Sequence, residues 1–212
     1  MKNIISFFVL ICSVAVILTS CSKDDESTTA ASTSVTSTTA SGSITVGSET
    51  MSGTYVSACN TTQFAAAAGT QFFPSDVKSG KTVIVVTSDT TFSDEMLMYT
   101  DTSCSTPTAY TKNGNTSVTV GVASGSNYLV TYTSSTYKVQ ADTTVAETHL
   151  EAFLLAATGS AVDLTVGTEH SGSKSGNSYK NVWSVTSTTF QQGEEDRSTQ
   201  PTVIDSMEMT KQ

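Results

Sequence analysis

The chain has 212 residues, with 19 acidic against 10 basic side chains and a net charge of −9. That excess of acid argues against a nucleic-acid partner, whose phosphates are neutralised by Lys and Arg, and against charge-driven binding to an anionic bilayer. Charged residues make up only 14% of the chain, and Ser and Thr supply the remaining polarity, which suits exposed β faces and loops.

Lys2 gives a basic start, and Ile4 to Leu18 is an apolar run broken mainly by Ser6, Cys12 and Ser13. The run is shorter than the roughly 20 residues a membrane span needs and fits the apolar part of a secretory signal. Leu18-Thr19-Ser20-Cys21 follows and resembles the lipobox of bacterial lipoproteins. The resemblance implies residues 1–20 as signal peptide, cleavage before Cys21, a lipid (palmitate among its chains) on Cys21, and the membrane as partner. Two or three acyl chains hold a protein on a bilayer where one does so only marginally.

Lys23-Asp24-Asp25-Glu26 reads either as the solvated start of a tether or as an address. Similar clusters follow the lipidated Cys of surface-exported lipoproteins, and Ser22 suits outer-membrane sorting by the same resemblance. The expected location is the cell envelope, lipid-anchored at the outer membrane: on the cell surface if the cluster is an address, with the periplasmic face left open if it is a tether start. Residues 21–48 are expected to be a flexible linker, because 27–48 are almost wholly Ser, Thr, Ala, Val and Gly with no aromatic and bury too little to offset their ordering entropy. Residues 49–212 then form one domain.

Within the domain, Ala65–Ala68 offers a short helical turn, and Phe72-Phe73-Pro74 an exposed patch or pocket lid. Lys81–Thr87 is a β-branched run that suits a strand covered on both faces, and Phe92–Asp101 a further strand. Asp94-Glu95 inside it reads as solvated charge protecting an edge. Asn113-Gly114 is the strongest hairpin signal and Ser124-Gly125 marks the next corner, so 107–139 is expected to be an antiparallel meander. Val118/Val120/Val122 and Tyr128/Val130/Tyr132 alternate as half-buried strands do.

Thr144 with Glu147 reads as a capping box opening a helix over 145–157. Its apolar stripe is Val145, Leu150, Phe153, Leu154 and Ala157, and Gly159 stands at its left-handed end. Val162/Leu164/Val166, Val182–Phe190 and Thr202–Thr210 read as strands, and Gly172–Asn177 as a loop. Short strands and tight turns of this kind argue for a mainly β barrel or sandwich with one amphipathic helix.

Cys12 leaves with the signal and Cys21 is assigned to lipid, which leaves Cys59 and Cys104. A disulfide between them suits an oxidising compartment; the alternatives are two buried thiols or a metal pair. His149 and His170 lack metal-ligand spacing, and no metal or cofactor is expected. No Gly-x-Ser-x-Gly elbow is present, and the Gly167–Ser175 run departs from the phosphate-loop pattern, so no catalytic residue is assigned. Glu194-Glu195-Asp196 reads as solvated. The strand aromatics either line an apolar pocket or form the core.

Gly53-Thr54-Tyr55 followed by Cys59 looks like the Gly-x-Trp start of lipocalin-like barrels, with Tyr55 standing where that family has Trp. Tyr99-Thr-Asp101-Thr-Ser-Cys104-Ser-Thr-Pro107 resembles the Tyr-x-Asp-x-x-Cys-x-x-Pro pattern of bacterial lipocalin-like lipoproteins, which are similar to the extracellular domain of the adenomatosis-polyposis-coli down-regulated family. The resemblance implies a small antiparallel lipocalin-like β-barrel whose first strand is tethered by Cys59. Eight strands leave room for packed side chains or one small ligand. The expected function is a non-enzymatic, membrane-anchored lipoprotein binding a small apolar ligand through Tyr55, Tyr128, Tyr132 and Trp183. The alternative is a structural or surface interaction protein with a packed core. Neither assigns a protein partner.

Overall fold

The computed structural model describes residues 38–205 and 207–212. The segments expected to be signal peptide (1–20) and linker (21–48), with Cys21, lie outside them up to residue 37.

The first elements are β1 (Ser43–Val46) and β2 (Glu49–Ser52), a separate antiparallel hairpin. Next come β3 (Thr54–Ser57), α1 (Thr61–Ala67), β4 (Ser79–Val86), β5 (Phe92–Tyr99), β6 (Pro107–Ser124) and β7 (Asn127–Ala141). The chain ends with α2 (Thr144–Thr158), β8 (Glu169–Val185), β9 (Thr189–Gln192) and β10 (Met209–Lys211). Strands β3 to β9 pair antiparallel with their sequence neighbours, and β10 closes the ring between β9 and β3. Closure gives every strand of the ring two neighbours, which removes the usual template for intermolecular pairing there. No helix among the described residues is long and apolar enough to cross a membrane.

Alternation decides what faces inward. On β5, Phe92, Met96 and Met98 join interior clusters, while Leu97 and Tyr99 join a cluster on the outer face. One end of the ring is filled by Tyr55, Ile84, Phe92, Tyr132, Trp183 and Phe190, and closed by Ile44, Val46 and Met51 of the β1–β2 hairpin. The other end is filled by Met96, Met98, Tyr137 and Val139 and closed by Phe64 of α1, by Phe73 and Val77, and by Leu150, Phe153 and Leu154 of α2. Gly80 is required there: a Cβ would meet the Phe64 ring at 1.9 Å. Cys59 and Cys104 form a disulfide. The Asp101 carboxylate organises the loop before Cys104, accepting from the Ser103, Ser105 and Thr106 amides. The Ser103 hydroxyl, which also donates to it, and then these amides hold its carboxyl well below the usual range.

Several expectations need correction. Residues 38–48, assigned to the linker, belong to the fold: Ser41 donates its amide to Val86, and Ile44 and Val46 are buried. Asn113-Gly114 is not a turn but lies inside β6 opposite Tyr137 and Thr136. The hairpin turns at Gly125, whose φ is +66°, between Ser124 and its partner Asn127. Gly172–Asn177 is not a loop but part of β8. Residues 162–166 form no strand, although Leu164 is buried. Val182–Phe190 is two strand ends joined by a turn, and of 202–210 only Met209 and Thr210 are in a strand.

The α2 cap is Thr143, not Thr144, and its hydroxyl accepts from Ala146 N at 3.2 Å. The one-residue shift buries Ala146 and leaves Val145 exposed. Gly159 ends the helix at φ +72° as expected. Phe73 and Pro74 are buried and Phe72 packs edge-on to Phe153, so this trio is core, not an exposed patch.

Candidate functional site: a charged layer inside the ring

Asp94 and Glu95, read from sequence as solvated edge charges, are 1% and 0% exposed. They stand at successive positions of β5 and therefore face opposite ways. Glu95 faces outward to Lys112, 3.7 Å away, and accepts from Ser93 Oγ and Thr38 Oγ1. Asp94 faces inward. Its Oδ1 accepts from Asn113 Nδ2 at 2.6 Å and its Oδ2 from Asn115 Nδ2 at 2.8 Å. The Asn-x-Asn spacing on β6 puts both amides on the face that meets Asp94 across the ladder.

A bulge brings the opposing charge. Ser173 and Asn177 of β8 pair with Thr136 and Ser134 of β7, so three residues of β8 oppose one of β7. Gly176, at φ +71°, helps the chain make that excursion. Lys174 turns into the ring, where it is 8% exposed. Its Nζ donates to Asn113 Oδ1 at 2.5 Å and to Ser134 Oγ at 3.1 Å. Asn113 thus bridges Asp94 and Lys174. Burial lowers Lys174 to about 7 despite the attraction of Asp94, and nearby Arg197 adds to the lowering. Burial raises Asp94 against the pull of Lys174 and the two amides.

The segment after β9 completes the layer. Its backbone pairs with β8 through Asp196 and Lys180. The Asp196 carboxylate accepts from the Ser198 and Thr199 amides, which fixes the turn. The two residues flanking Asp196 face the ring. Both carboxyl oxygens of Glu195 are buried, and burial together with the charge of Asp94 holds its pKa well above the ordinary value. Arg197 lies over the Tyr179 ring, 5.2 Å from its centroid, and donates to the Tyr179 hydroxyl from Nε and Nη2.

Tyr179, Pro201, Thr199 and the run Glu194 to Arg197 line an open cavity of about 510 Å³. This is the size of a small-molecule site. Asn115 Oδ1, Asn181 Nδ2, Gln192 Oε1, Tyr132 Oη and Trp183 Nε1 are buried in the same interior without a hydrogen-bond partner among the described residues.

The four aromatics assigned to ligand contact do come together. Tyr55, Tyr132 and Trp183 belong to one buried cluster, with half-buried Tyr128 packed against it. Their rings contact each other and their neighbours: Trp183 meets Phe92 and Phe190 edge-on at 5.3 Å, and Tyr55 lies 6.0 Å from Phe190. Tyr132 stacks on Tyr179 at 6.2 Å, so an aromatic path runs from this packed end to the cavity wall. His149 and His170 are half-buried, each lowered by burial. No group of three metal-ligating side chains is found among the described residues.

Sequence reasoning missed Asp94, Lys174 and Glu195. One signal was available: Phe92-x-Asp94-x-Met96-x-Met98 places Asp94 on the same face as three apolar side chains. Neither a protein-family model nor a curated protein matches the sequence.

Proposed function

We propose that this chain is a lipid-anchored protein of the bacterial envelope, held at the outer membrane through Cys21. Its lipocalin-like barrel takes up a small amphipathic molecule in the cavity beside Tyr179. The role is binding, without catalysis. The observation that carries it is the charged layer: Asp94, Lys174 and Glu195 are withdrawn from water next to a cavity of ligand size. Burying charges is costly even when they are paired, and perturbed titratable groups in a cavity are the mark of a functional site. Tyr179 and Pro201 supply an apolar wall and the flanking charges a polar one. The aromatics near Trp183 support the floor of the site rather than line it.

Native mass spectrometry of the protein isolated from its own cells tests the binding. A reproducible mass adduct, lost on denaturation, is the expected result; a bare protein after exposure to a whole-cell small-molecule extract counts against it. The anchor has a separate test. Cys21→Ala is expected to abolish palmitate labelling and membrane retention, and retention of both by the variant would refute the lipid assignment.

A packed barrel that serves structure or surface interaction is the second reading. The edge-to-face packing around Trp183 favours it. Under that reading the native protein carries no adduct, and cross-linking on intact cells captures an envelope partner.

A further inference from the structure

The chain has two histidines, and the fold brings both to the end of the ring that α2 covers. His149 stands on α2. Its Nε2 is closed to water and has no hydrogen-bond partner among the described residues. The Gln71 carbonyl and the charge of Asp76 favour the protonated imidazole, but burial outweighs them. His170 pairs with Val139 across the β7–β8 ladder and so shares its side of the sheet, toward the cluster that Leu150, Phe153 and Leu154 of α2 close. Its ring lies 6.1 Å from that of Tyr137 in the same cluster, and burial disfavours its charge. The other charged groups nearby are engaged or turned away. Glu169 meets Lys138 and Tyr110, and Lys174 donates to Asn113 and Ser134. Glu147 and Glu151 stand two positions from His149, on the far side of the helix, and Asp163 is exposed.

The helix is attached in the manner of a lid. Its N-terminus is pinned: Thr143 Oγ1 donates to Asp76 Oδ2 at 2.9 Å, and the Asp142 amide to the Thr108 carbonyl at 2.7 Å. At the other end Gly159 breaks the helix at φ +72°, and residues 160–168 after it are in neither helix nor strand. The later turns dock through Leu150, Phe153 and Leu154. An open cavity of about 590 Å³, lined by Gly69, Ser75, Thr148 and His149 among others, lies between α2 and the connection after α1. We infer that α2 is a lid released by acid: protons taken up by His149 and His170 favour the undocked helix, which uncovers this end of the ring. A proton on Nε2 of docked His149 makes a buried donor without an acceptor, a costly arrangement; undocked, it meets water. The docked state therefore takes up protons less readily than the undocked one, whose histidines titrate near 6.5. As pH falls through that value the opening constant rises, by up to about tenfold per pH unit for each histidine. Asp94 and Glu195 have the opposite dependence, so acid loosens the lid without loosening the ring. The side chains laid bare are Met96, Met98, Tyr137 and Val139. The inference is independent of the binding reading given above.

The test is hydrogen exchange of the full chain at a series of pH values from about 7.5 to about 5, with the intrinsic exchange rate divided out. Amides of residues 150–158 are expected to open about tenfold or more readily at the acid end, while those of β6 and β7 keep their protection. His149→Gln and His170→Gln are each expected to remove roughly half of that response on a logarithmic scale, and the double variant all of it. Proton NMR of the two imidazoles in the unsubstituted chain serves where a variant does not fold: both are expected to titrate below about 6.5. Titration of either at or above that value overturns the lid. So does α2 exchange that tracks β7 at every pH, or a pH response that survives in the double variant.

Discussion

Lys174 shows how one side chain's surroundings set a measurable property of the whole fold. Its unfolded pKa is near 10.4, and in the folded chain burial lowers it to about 7. Between those values the unfolded chain holds a proton that the folded chain does not, so stability rises with pH across the window. Urea unfolding is expected to show a gain of up to a few kcal/mol from pH 7 to pH 10, and Lys174→Met is expected to lose that gain. Asp94 and Glu195 act in the opposite sense. Their folded pKa values are raised, so their contribution is fully present below the unfolded carboxyl value and is lost as pH rises through the folded one. Asp94→Ala strips the Asn113 and Asn115 amides of their acceptor and Lys174 of the negative charge that offsets its burial, and is expected to cost about 3–5 kcal/mol, read as a fall in the urea midpoint.

At the scale of elements, the sequence was legible where local preference and tertiary demand agree. Lys81–Thr87, Phe92–Asp101 and the α2 helix appear close to their expected bounds, because apolar periodicity and burial point the same way. Asn113-Gly114 was misleading because Asn113 spends its side chain on Asp94 and Lys174 instead of on a turn. The Gly/Ser run at 172–177 was misleading because a long partner strand, β7, supplies the ladder that its composition does not favour. The buried charges were obscured for a related reason: a bulge, which sets the direction of Lys174, leaves little trace in one sequence. The disulfide links the end of β3 to the β5–β6 connection across 45 residues. Removing it by Cys59→Ala with Cys104→Ala is expected to lower stability by about 3–4 kcal/mol in the chain-entropy model, read by denaturant unfolding in non-reducing buffer.

At the scale of the molecule, the ring is uneven. β6, β7 and β8 run 18, 15 and 17 residues, whereas β3, β9 and β10 have four, four and three. The tall wall carries the interior asparagines, Ser134 and Lys174, and the short strands adjoin the cavity-forming segment 193–201. Closure rests on few backbone pairs: Met209–Lys211 against Ser57–Tyr55, and Met209–Thr210 against Phe190–Thr189. Deleting residues 209–212 is expected to open β3 and β9 to intermolecular pairing. Size-exclusion chromatography should then show aggregation and a loss of the single cooperative transition.

That closure also has a direction in time. The strand that completes the ring is drawn from the last residues here, while the β3 strand it must meet lies some 150 positions earlier. A chain emerging from a ribosome can pair β3 with β4 and β9 with β8, but it has nothing to offer the other edge of either strand until Met209 is out. The ring therefore stays open until that strand has emerged.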